Sequence, residues 1–498
     1  MEEARGTIVL VAIAVYMASC LAIGLWAMRR TKSTRDFFVA GRDLGILVTG
    51  LAVFSSTMSG FGFVGGPGLV YRMGLSVMWI IIGIPIGYCV SFFLLGKRLR
   101  LFGELLDSVS LPDVVAARYR SELCRFLAAL AILLGVIGYL GAQILAMATI
   151  LQDILVQNPW TGDISLFHCV FISSAVLVFY CVTGGIIASV YTDLVQGLVM
   201  MVAAVFVFFT AMHTFEGGFS GMVQTIAADD AGAVGPWGTV GMLGCLSWFF
   251  LFAVGSAGQP HVVTKMMMNR RIEDARHILP LSAIGYTLSA LLIISVGMVM
   301  RALVLSGSHA DLDHSDAAAP QFLQTYAHPV LAGIVFAGLF AAIMSTADAF
   351  LNVGAAALVH DMPRAILGRS LVHELFWARC ATAALALMAA VFALYTQDLV
   401  ALLGAFGWGT FAAALVPVVA IGLNWKRATA LAANVAIITS LLINFVLKLS
   451  SRITGFEIPY AIDGGTVSLL VSLLLFFLIS LCSRQPKLDP DIEAVMDM

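Results

Sequence analysis

Long apolar segments recur along the chain and are separated by short polar ones. The first segment begins near Thr7 and the last ends near Ser483. A helix needs about 20 apolar residues to cross the hydrocarbon core of a bilayer, and segments of this length occur about thirteen times. The pattern predicts an all-α polytopic membrane protein with one transmembrane domain over residues 1–498.

Composition supports the same conclusion. The chain is 60% hydrophobic and 11% charged, whereas about a quarter of the residues of a typical soluble protein are charged. A soluble globular protein is therefore excluded. We expect the lipid bilayer to be a partner of this chain, and we expect no nucleic-acid partner.

The distribution of positive charge predicts the orientation in the membrane. Lys and Arg favour the cytoplasmic side of short loops, and an outer N-terminus places most of the 27 Lys and Arg residues, Lys265 included, in cytoplasmic segments. We therefore expect the N-terminus outside and a short cytoplasmic tail over residues 485–498 in the cell membrane. The stretches expected outside, which contain no Lys or Arg, are 153–163, 213–238 and 306–328.

Two predicted spans are interrupted by Gly, Pro and small polar residues. The segments are 55–68 in the second span and 255–261 in the seventh. Such residues also permit close helix packing. However, a matched pair of broken helices is typical of transporters built from inverted repeats. We expect a first repeat at 45–214 and a second at 238–424.

Carboxylates and hydroxyls within apolar spans are candidates for function, because charged groups are costly in a bilayer. Asp193 shares a helical face with Ser189. Asp348 shares a face with Ser345, which is followed by Thr346. We interpret Asp193 and Asp348 as candidates for binding a cation, with a buried structural pair or a position near the membrane interface as the alternatives. Asp361, before Met362-Pro363, is assigned to a loop.

Hydroxyls together with the carbonyls freed by the broken second span offer the oxygen ligands that a hard monovalent cation needs. We expect this cation to be sodium. The alternative for Ser345 and Thr346 is hydrogen bonding to their own helix. Tyr139 and Gln143 are polar groups that could face a solute cavity.

Several motifs taken together resemble the sodium:solute symporter family, and the resemblance covers nearly the whole chain. The motifs are Asp36-Phe37-Phe38-Val39-Ala40-Gly41-Arg42, Ser59-Gly60, Gly184-Gly185 through Tyr191-Thr192-Asp193, Gly258-Gln259-Pro260-His261 and Ala342-Ile343-Met344-Ser345-Thr346.

The resemblance implies a LeuT-type core of two inverted five-helix repeats. It further implies that the main sodium site uses backbone oxygens of Ser55, Met58 and Ala342 and the hydroxyls of Ser345 and Thr346. Asp193 matches an acidic position beside a second cation. Asp348 stands where relatives place a hydroxyl, so the number of sodium ions is left open.

The solute is less well defined by the resemblance. Thr57 stands where the proline branch has an aspartate, and Phe252 and Ser256 replace its tryptophan and tyrosine, so a proline carrier is not expected. The residues expected to line the solute cavity are Thr57, Ser59, Phe61, Gln143, Phe252 and Gln259.

The expected function is sodium-coupled symport of a small organic solute, such as an amino acid, a carboxylate or a sugar, with the sodium ion as the only cofactor. A proton-coupled symporter using Asp193 or Asp348 and a transporter-like solute sensor are the alternatives. We do not expect an enzyme, because no convergent set of nucleophile, acid and metal ligands is visible.

Overall fold

The structure is a computed structural model that describes residues 2–156, 164–395 and 400–498. Within these ranges the chain is helical and forms no strand, and a single bridge joins Leu44 to Asn269. The α-helices are α1 Glu2–Met28, α2 Thr34–Val39, α3 Ile46–Thr57, α4 Gly66–Met73, α5 Met78–Ser91, α6 Lys97–Leu105, α7 Leu111–Tyr119, α8 Glu122–Val156, α9 Leu166–Thr214, α10 Gly218–Asp229, α11 Met242–Gly255, α12 Pro260–Val263, α13 Ala275–Leu305, α14 Ala318–Thr325, α15 Pro329–Ala356, α16 Met362–Leu367, α17 Glu374–Tyr395, α18 Val400–Leu415, α19 Ala430–Thr454, α20 Gly464–Cys482 and α21 Pro490–Met496.

Ten helices of the described chain are long and apolar enough to cross a membrane, or eleven if the bent pair around Gln259 counts as one span. The prediction of a multi-pass helical protein is therefore confirmed, whereas the count of about thirteen crossings is not. The difference arises at helix breaks, since two shorter apolar helices, Ile46–Thr57 and Leu166–Phe179, do not reach spanning length by themselves.

The first predicted interruption is confirmed. Helix α3 ends at Thr57, Met58 has non-helical torsion angles (φ −81°, ψ 81°), and the chain continues through a π-helical turn at Phe61–Gly65 into α4. A Cβ atom on Gly62 would lie 2.6 Å from the Met58 sulfur. A side chain at Gly62 would therefore need Met58 to move, so close packing favours glycine at this position of the break.

The second predicted interruption is also confirmed. Helix α11 continues into a 3₁₀ turn at Ser256–Gly258, Gln259 is extended (φ −79°, ψ 105°), and α12 begins at Pro260. The two halves of this helix are bent by 47°. Proline at the first position of a helix lacks only an N–H that would have no helical partner, which explains why the chain restarts there.

Helix α15 lies at the centre of the bundle. Its side chains from Ala341 to Phe350 are all buried, and it packs against α9, α1, α8 and α3. Because α3 contains the first break, this packing places Ser345 and Thr346 of α15 beside the free end of α3.

Gly185 lies at a kink in α9, where two helical segments meet. Its torsion angles (φ 56°, ψ −149°) lie in a region that is essentially confined to glycine. A Cβ atom there would also lie 2.5 Å from Cδ2 of Phe37.

We therefore expect Gly185→Ala to lower the free energy of unfolding by about 2–4 kcal/mol, because backbone strain and overpacking add. Thermal unfolding of the purified protein in detergent measures this. Gly368→Ala is the control, since Gly368 also has a positive φ (67°) but a Cβ there meets no atom within 4 Å. Equal loss of stability in the two variants would contradict the packing argument.

Candidate cation and solute sites

The hydroxyls of Ser345 and Thr346 contact the end of α3. Ser345 Oγ donates to the Ser55 carbonyl at 2.9 Å and lies 3.0 Å from the Ala342 carbonyl. Thr346 Oγ1 donates to the Ser56 carbonyl at 2.9 Å and lies 3.2 Å from the same Ala342 oxygen. The structure thus brings together four of the five residues predicted to bind sodium, all of them fully buried.

The break in α3 explains why these carbonyls are available. The last four carbonyls of a helix have no partner within the helix. Met58 N–H donates to the Phe54 carbonyl, and Ser59 N–H donates to the Thr57 carbonyl. The Ser55 and Ser56 carbonyls are satisfied by the hydroxyls of α15 instead. Met58, the fifth predicted residue, ends the helix at this point.

The arrangement is chemically suited to a monovalent cation. Backbone carbonyls and hydroxyls supply neutral oxygen ligands, and a hydroxyl that now donates a hydrogen bond can rotate to offer its lone pairs. The C-terminal end of a helix also carries a partial negative charge that favours a cation. The hydroxyls of Ser345 and Thr346, both predicted as sodium ligands, thus lie within hydrogen-bond distance of a carbonyl of α3 and of a carbonyl of their own helix.

Asp193 of α9 is fully buried and pairs with a cation from the chain itself. Lys265 Nζ lies 2.7 Å from Asp193 Oδ2 and donates to the Ala52 carbonyl at 2.9 Å. It also contacts the Ser56 hydroxyl, which lies 3.4 Å from the same carboxylate oxygen. This is the buried structural pair that the sequence left open as an alternative.

Asp348 has a different environment. Its Oδ1 accepts a hydrogen bond from Ser189 Oγ at 2.7 Å, and the side chain is 2% exposed. Ser189 and Asp193 share a face of α9, as predicted, so Asp348 contacts this helix one turn before Asp193. Their roles in binding a second cation stay predictions.

The candidate solute residues surround the two breaks. Ser59 Oγ lies 3.1 Å from the Tyr139 hydroxyl, and Gln143 Oε1 accepts from Gly60 N–H at 2.8 Å. Thr57 instead donates to the Val53 carbonyl of its own helix at 2.8 Å.

Aromatic side chains connect the breaks to α18. Phe61 stacks on Phe252 with ring centroids 5.7 Å apart, and Phe252 stacks on Trp408 at 5.1 Å. Gln259 Nε2 donates to the carbonyls of Gly255 and Trp408, both at 3.1 Å. Five of the six candidates, all but Thr57, thus hold the broken helices to each other or to α8 and α18.

These six side chains are at most 7% exposed and pack closely. Two cavities of about 660 and 520 Å³ are lined by other residues. The larger lies between α18, α19 and the segment before α20, and the smaller lies between α9 and α17. We place the candidate solute site at the breaks because polar groups from both broken helices converge there, and not in the larger cavities.

A model of the sodium:solute symporter family matches residues 37–440 of the chain. The chain belongs to the sodium:solute symporter family. The resemblance inferred from the motifs is thereby confirmed, and transport, symport and a membrane location follow from membership. The roles of individual residues remain predictions.

Two relatives that match most of the chain are named as transporters. An osmoregulated proline transporter of Bacillus subtilis is 27% identical over 96% of this chain and 95% of its own. A high-affinity proline transporter of the same organism is 30% identical over 82% of this chain and 85% of its own. These relatives are transporters, which is consistent with a protein that is not an enzyme.

A solved structure, the substrate-bound outward-open state of a Na⁺-coupled sialic acid symporter, is similar to this fold. It has a TM-score of 0.79 at 20% identity and covers 96% of this chain and 98% of its own. The likeness supports the transporter fold, whereas the count of thirteen helices and the repeat boundaries stay predictions.

The location predicted for Lys265 is wrong. It was assigned to a cytoplasmic segment, but it lies in the 3₁₀ turn Thr264–Met267 of the second broken helix and its side chain is 1% exposed. The available signal was its position: five residues after Pro260 and followed by Met266, Met267 and Met268. A lysine within an apolar half-helix has to find a buried partner.

Two other residues at the site, Trp408 and His261, were not assigned a role from the sequence. His261 entered the sequence prediction only as part of a motif, but it is 1% exposed and its ring lies 4.3 Å from the Phe350 ring, centroid to centroid. Trp408 lies in an apolar span, where an aromatic residue gives no signal that separates packing from ligand contact.

Asp361 was wrongly assigned to a loop. It lies in the π-helical turn Ala357–Asp361 after α15, is fully buried and accepts from Ser110 Oγ at 2.6 Å. The preceding His360 contacts Asp113 of α7 at 2.8 Å and Glu374 of α17 at 2.6 Å. This buried network joins α7, α15 and α17.

Asp113 is the centre of the network. Its carboxylate contacts His360 and Arg125, and Arg364 lies 3.6 Å away. Burial raises the pKa of Asp113, but the hydrogen bond from His360 and the charges of His360 and Arg125 outweigh it and hold this pKa well below its usual value. One ligand atom each from Asp113, His360 and Asp361 lies within 4.8 Å of the others. Arg125 already neutralises this cluster, so we interpret it as an ion-pair network.

We expect Asp113→Asn to destabilise the protein by about 3–5 kcal/mol at neutral pH, because it removes the buried carboxylate that pairs with both His360 and Arg125. The stabilisation should be lost as the pH falls from about 4, where this carboxyl takes up a proton in the unfolded chain, towards its pKa of about 2 in the folded protein. Thermal unfolding across pH measures both effects. Asp43→Asn is the control: Asp43 pairs with Arg270, but both side chains are more than half exposed, so little change is expected. Equal loss of stability in Asp113→Asn and Asp43→Asn would contradict the interpretation of this cluster as a buried ion-pair network.

Proposed function

We propose that this family member is a sodium-coupled secondary active symporter of a small organic solute that works by alternating access. The supporting observation is the pair of hydroxyls on α15, Ser345 and Thr346, bonded to the carbonyls of Ser55 and Ser56 that the break in α3 leaves free. We further propose thirteen crossings with the N-terminus outside, a cytoplasmic tail at 485–498, and inverted repeats at 45–214 and 238–424.

The proposed sodium ligands are the carbonyls of Ser55, Met58 and Ala342 and the hydroxyls of Ser345 and Thr346. Sodium would replace the hydrogen bonds between the hydroxyls and α3 with ion–oxygen contacts. The chain's own contribution is to hold α15 against the end of α3, so that the ligands from both helices lie close together before the ion arrives.

Coupling follows from the position of the break. Ser55 precedes it, Met58 lies at it, and the solute candidates Ser59 and Phe61 follow it directly. An ion that fixes the end of α3 therefore also fixes the residues that line the solute cavity. If sodium raises the affinity for solute, then solute raises the affinity for sodium by the same factor.

The residues proposed to line the solute cavity favour a solute without net charge. Thr57, Ser59, Gln143 and Gln259 offer hydroxyl and amide groups, and Phe61 and Phe252 offer aromatic faces, but none of the six is ionised. A net charge on the solute would need a fixed opposite charge at the site. Zwitterionic amino acids, as carried by the proline-transporting relatives, and neutral sugars satisfy this condition.

We expect the double variant Ser345→Ala/Thr346→Ala to bind ²²Na⁺ about 100- to 10,000-fold more weakly than the unmodified protein, because each of the two hydroxyls contributes about 1.5–3 kcal/mol to binding of a charged ligand. Scintillation proximity with purified protein measures this without a known solute. Ser91→Ala is the control, since the Ser91 hydroxyl is fully buried but bonds only within its own helix, to the Gly87 carbonyl at 2.7 Å. Unchanged ²²Na⁺ affinity in the double variant would refute the site.

We expect a solute without net charge to raise the unfolding temperature in NaCl but not in choline chloride. The screen contains L-proline, other zwitterionic amino acids, neutral sugars and, as the opposing class, dicarboxylates. Phe252→Ala should remove the shift, because it eliminates the aromatic stack between the two breaks. An equal rise of the unfolding temperature in choline chloride would argue for sodium-independent binding of the solute. In that case, solute uptake into vesicles under an imposed sodium or proton gradient identifies the coupling ion.

A further inference from the structure

Lys265 is a fully coordinated cation within the bundle. Its ammonium has three N–H donors, and the structure provides three oxygen acceptors: Asp193 Oδ2 at 2.7 Å, the Ala52 carbonyl at 2.9 Å and the Ser56 hydroxyl. Both charged side chains are at most 1% exposed. A carboxylate, a carbonyl and a hydroxyl are also the oxygen types that would bind a sodium ion.

The ammonium lies beside the proposed sodium site. Ala52 and Ser56 are one turn apart on α3, and the Ser56 carbonyl is the acceptor of the Thr346 hydroxyl. The Ser56 hydroxyl lies 3.3 Å from the Ser345 carbonyl. Ser56 therefore contacts both Lys265 and the ligands of the proposed ion, and both positive charges face the negative end of the same helix.

The charge balance at Asp193 leaves no need for another ion. A buried carboxylate requires a compensating positive charge, and Lys265 supplies it from the second broken helix. A sodium ion at the same carboxylate oxygen would lie within a few ångströms of the ammonium, so the two cations would repel each other.

We propose that Lys265 acts as a tethered cation that takes the position of a second sodium ion beside Asp193, so that this chain binds one sodium ion in each cycle. The inference rests on the proposed sodium site at Ser345 and Thr346. It specifies the ion stoichiometry that the sequence left open. It also assigns Lys265 as a positioning residue that connects both broken helices to α9.

The test counts bound ²²Na⁺ per purified chain at saturation, together with the Hill coefficient. The unmodified protein should bind one ion with a Hill coefficient near 1. Lys265→Gln removes the tethered charge and leaves Asp193 available, so this variant should bind two ions and its Hill coefficient should rise. A merely structural role for Lys265 would change stability but not the number of ions.

Two further variants separate charge from shape. Lys265→Arg keeps a positive charge and should bind one ion. The double variant Lys265→Met/Asp193→Asn removes both charges, creates no free carboxylate and should also bind one ion. Size-exclusion chromatography checks that each variant is folded. If Lys265→Gln does not fold, the number of ²²Na⁺ ions bound by the unmodified protein and by the double variant decides between one and two sodium ions per chain.

Two ions on the unmodified protein, or one ion on folded Lys265→Gln, would overturn the inference and leave the sodium site at α15 standing. An unmodified protein that binds no ²²Na⁺, or whose single ion persists with unchanged affinity in Ser345→Ala/Thr346→Ala, would instead refute the proposed function and the inference with it.

Discussion

The structure depends on the way in which the carbonyls at the broken end of α3 find partners. Water cannot reach them inside a bilayer, and each unsatisfied backbone group there would cost several kcal/mol. Ser345 and Thr346 of α15 donate to two of them, so the break is stable only while α15 packs against it. The requirement to satisfy the backbone thus fixes the position of the helix that carries the proposed ion ligands.

Much of the fold and part of the site could be predicted from the sequence. Apolar length identified a multi-pass helical protein, and the glycine-rich segments located both breaks, because a membrane helix shows such clusters only where it bends or packs closely. The hydroxyls of Ser345 and Thr346 were found for a similar reason, since adjacent hydroxyls are unusual in an apolar span. Family membership supports these inferences without assigning a role to each residue.

The rest required tertiary structure. Lys265 was counted with the cytoplasmic charges because the positive-inside pattern weighs residues by loop and not by depth, and its partner Asp193 lies 72 positions away in the sequence. Asp361 appeared to be a loop residue because Pro363 follows it, yet a π-helical turn carries it into the network of Asp113. The predicted count of about thirteen crossings exceeds the ten or eleven spans of the described chain because Ile46–Thr57 and Leu166–Phe179 are too short to span a membrane by themselves.

The stack of Phe61, Phe252 and Trp408 has a consequence for the energetics of opening. It joins both broken helices to α18 through two aromatic contacts, each stabilised by about 0.5–1.5 kcal/mol beyond burial. Together they favour the closed packing by roughly 5- to 150-fold. Under the proposed alternating access, a bias of this size would keep the closed packing the more populated one and still allow opening on the microsecond-to-second timescale.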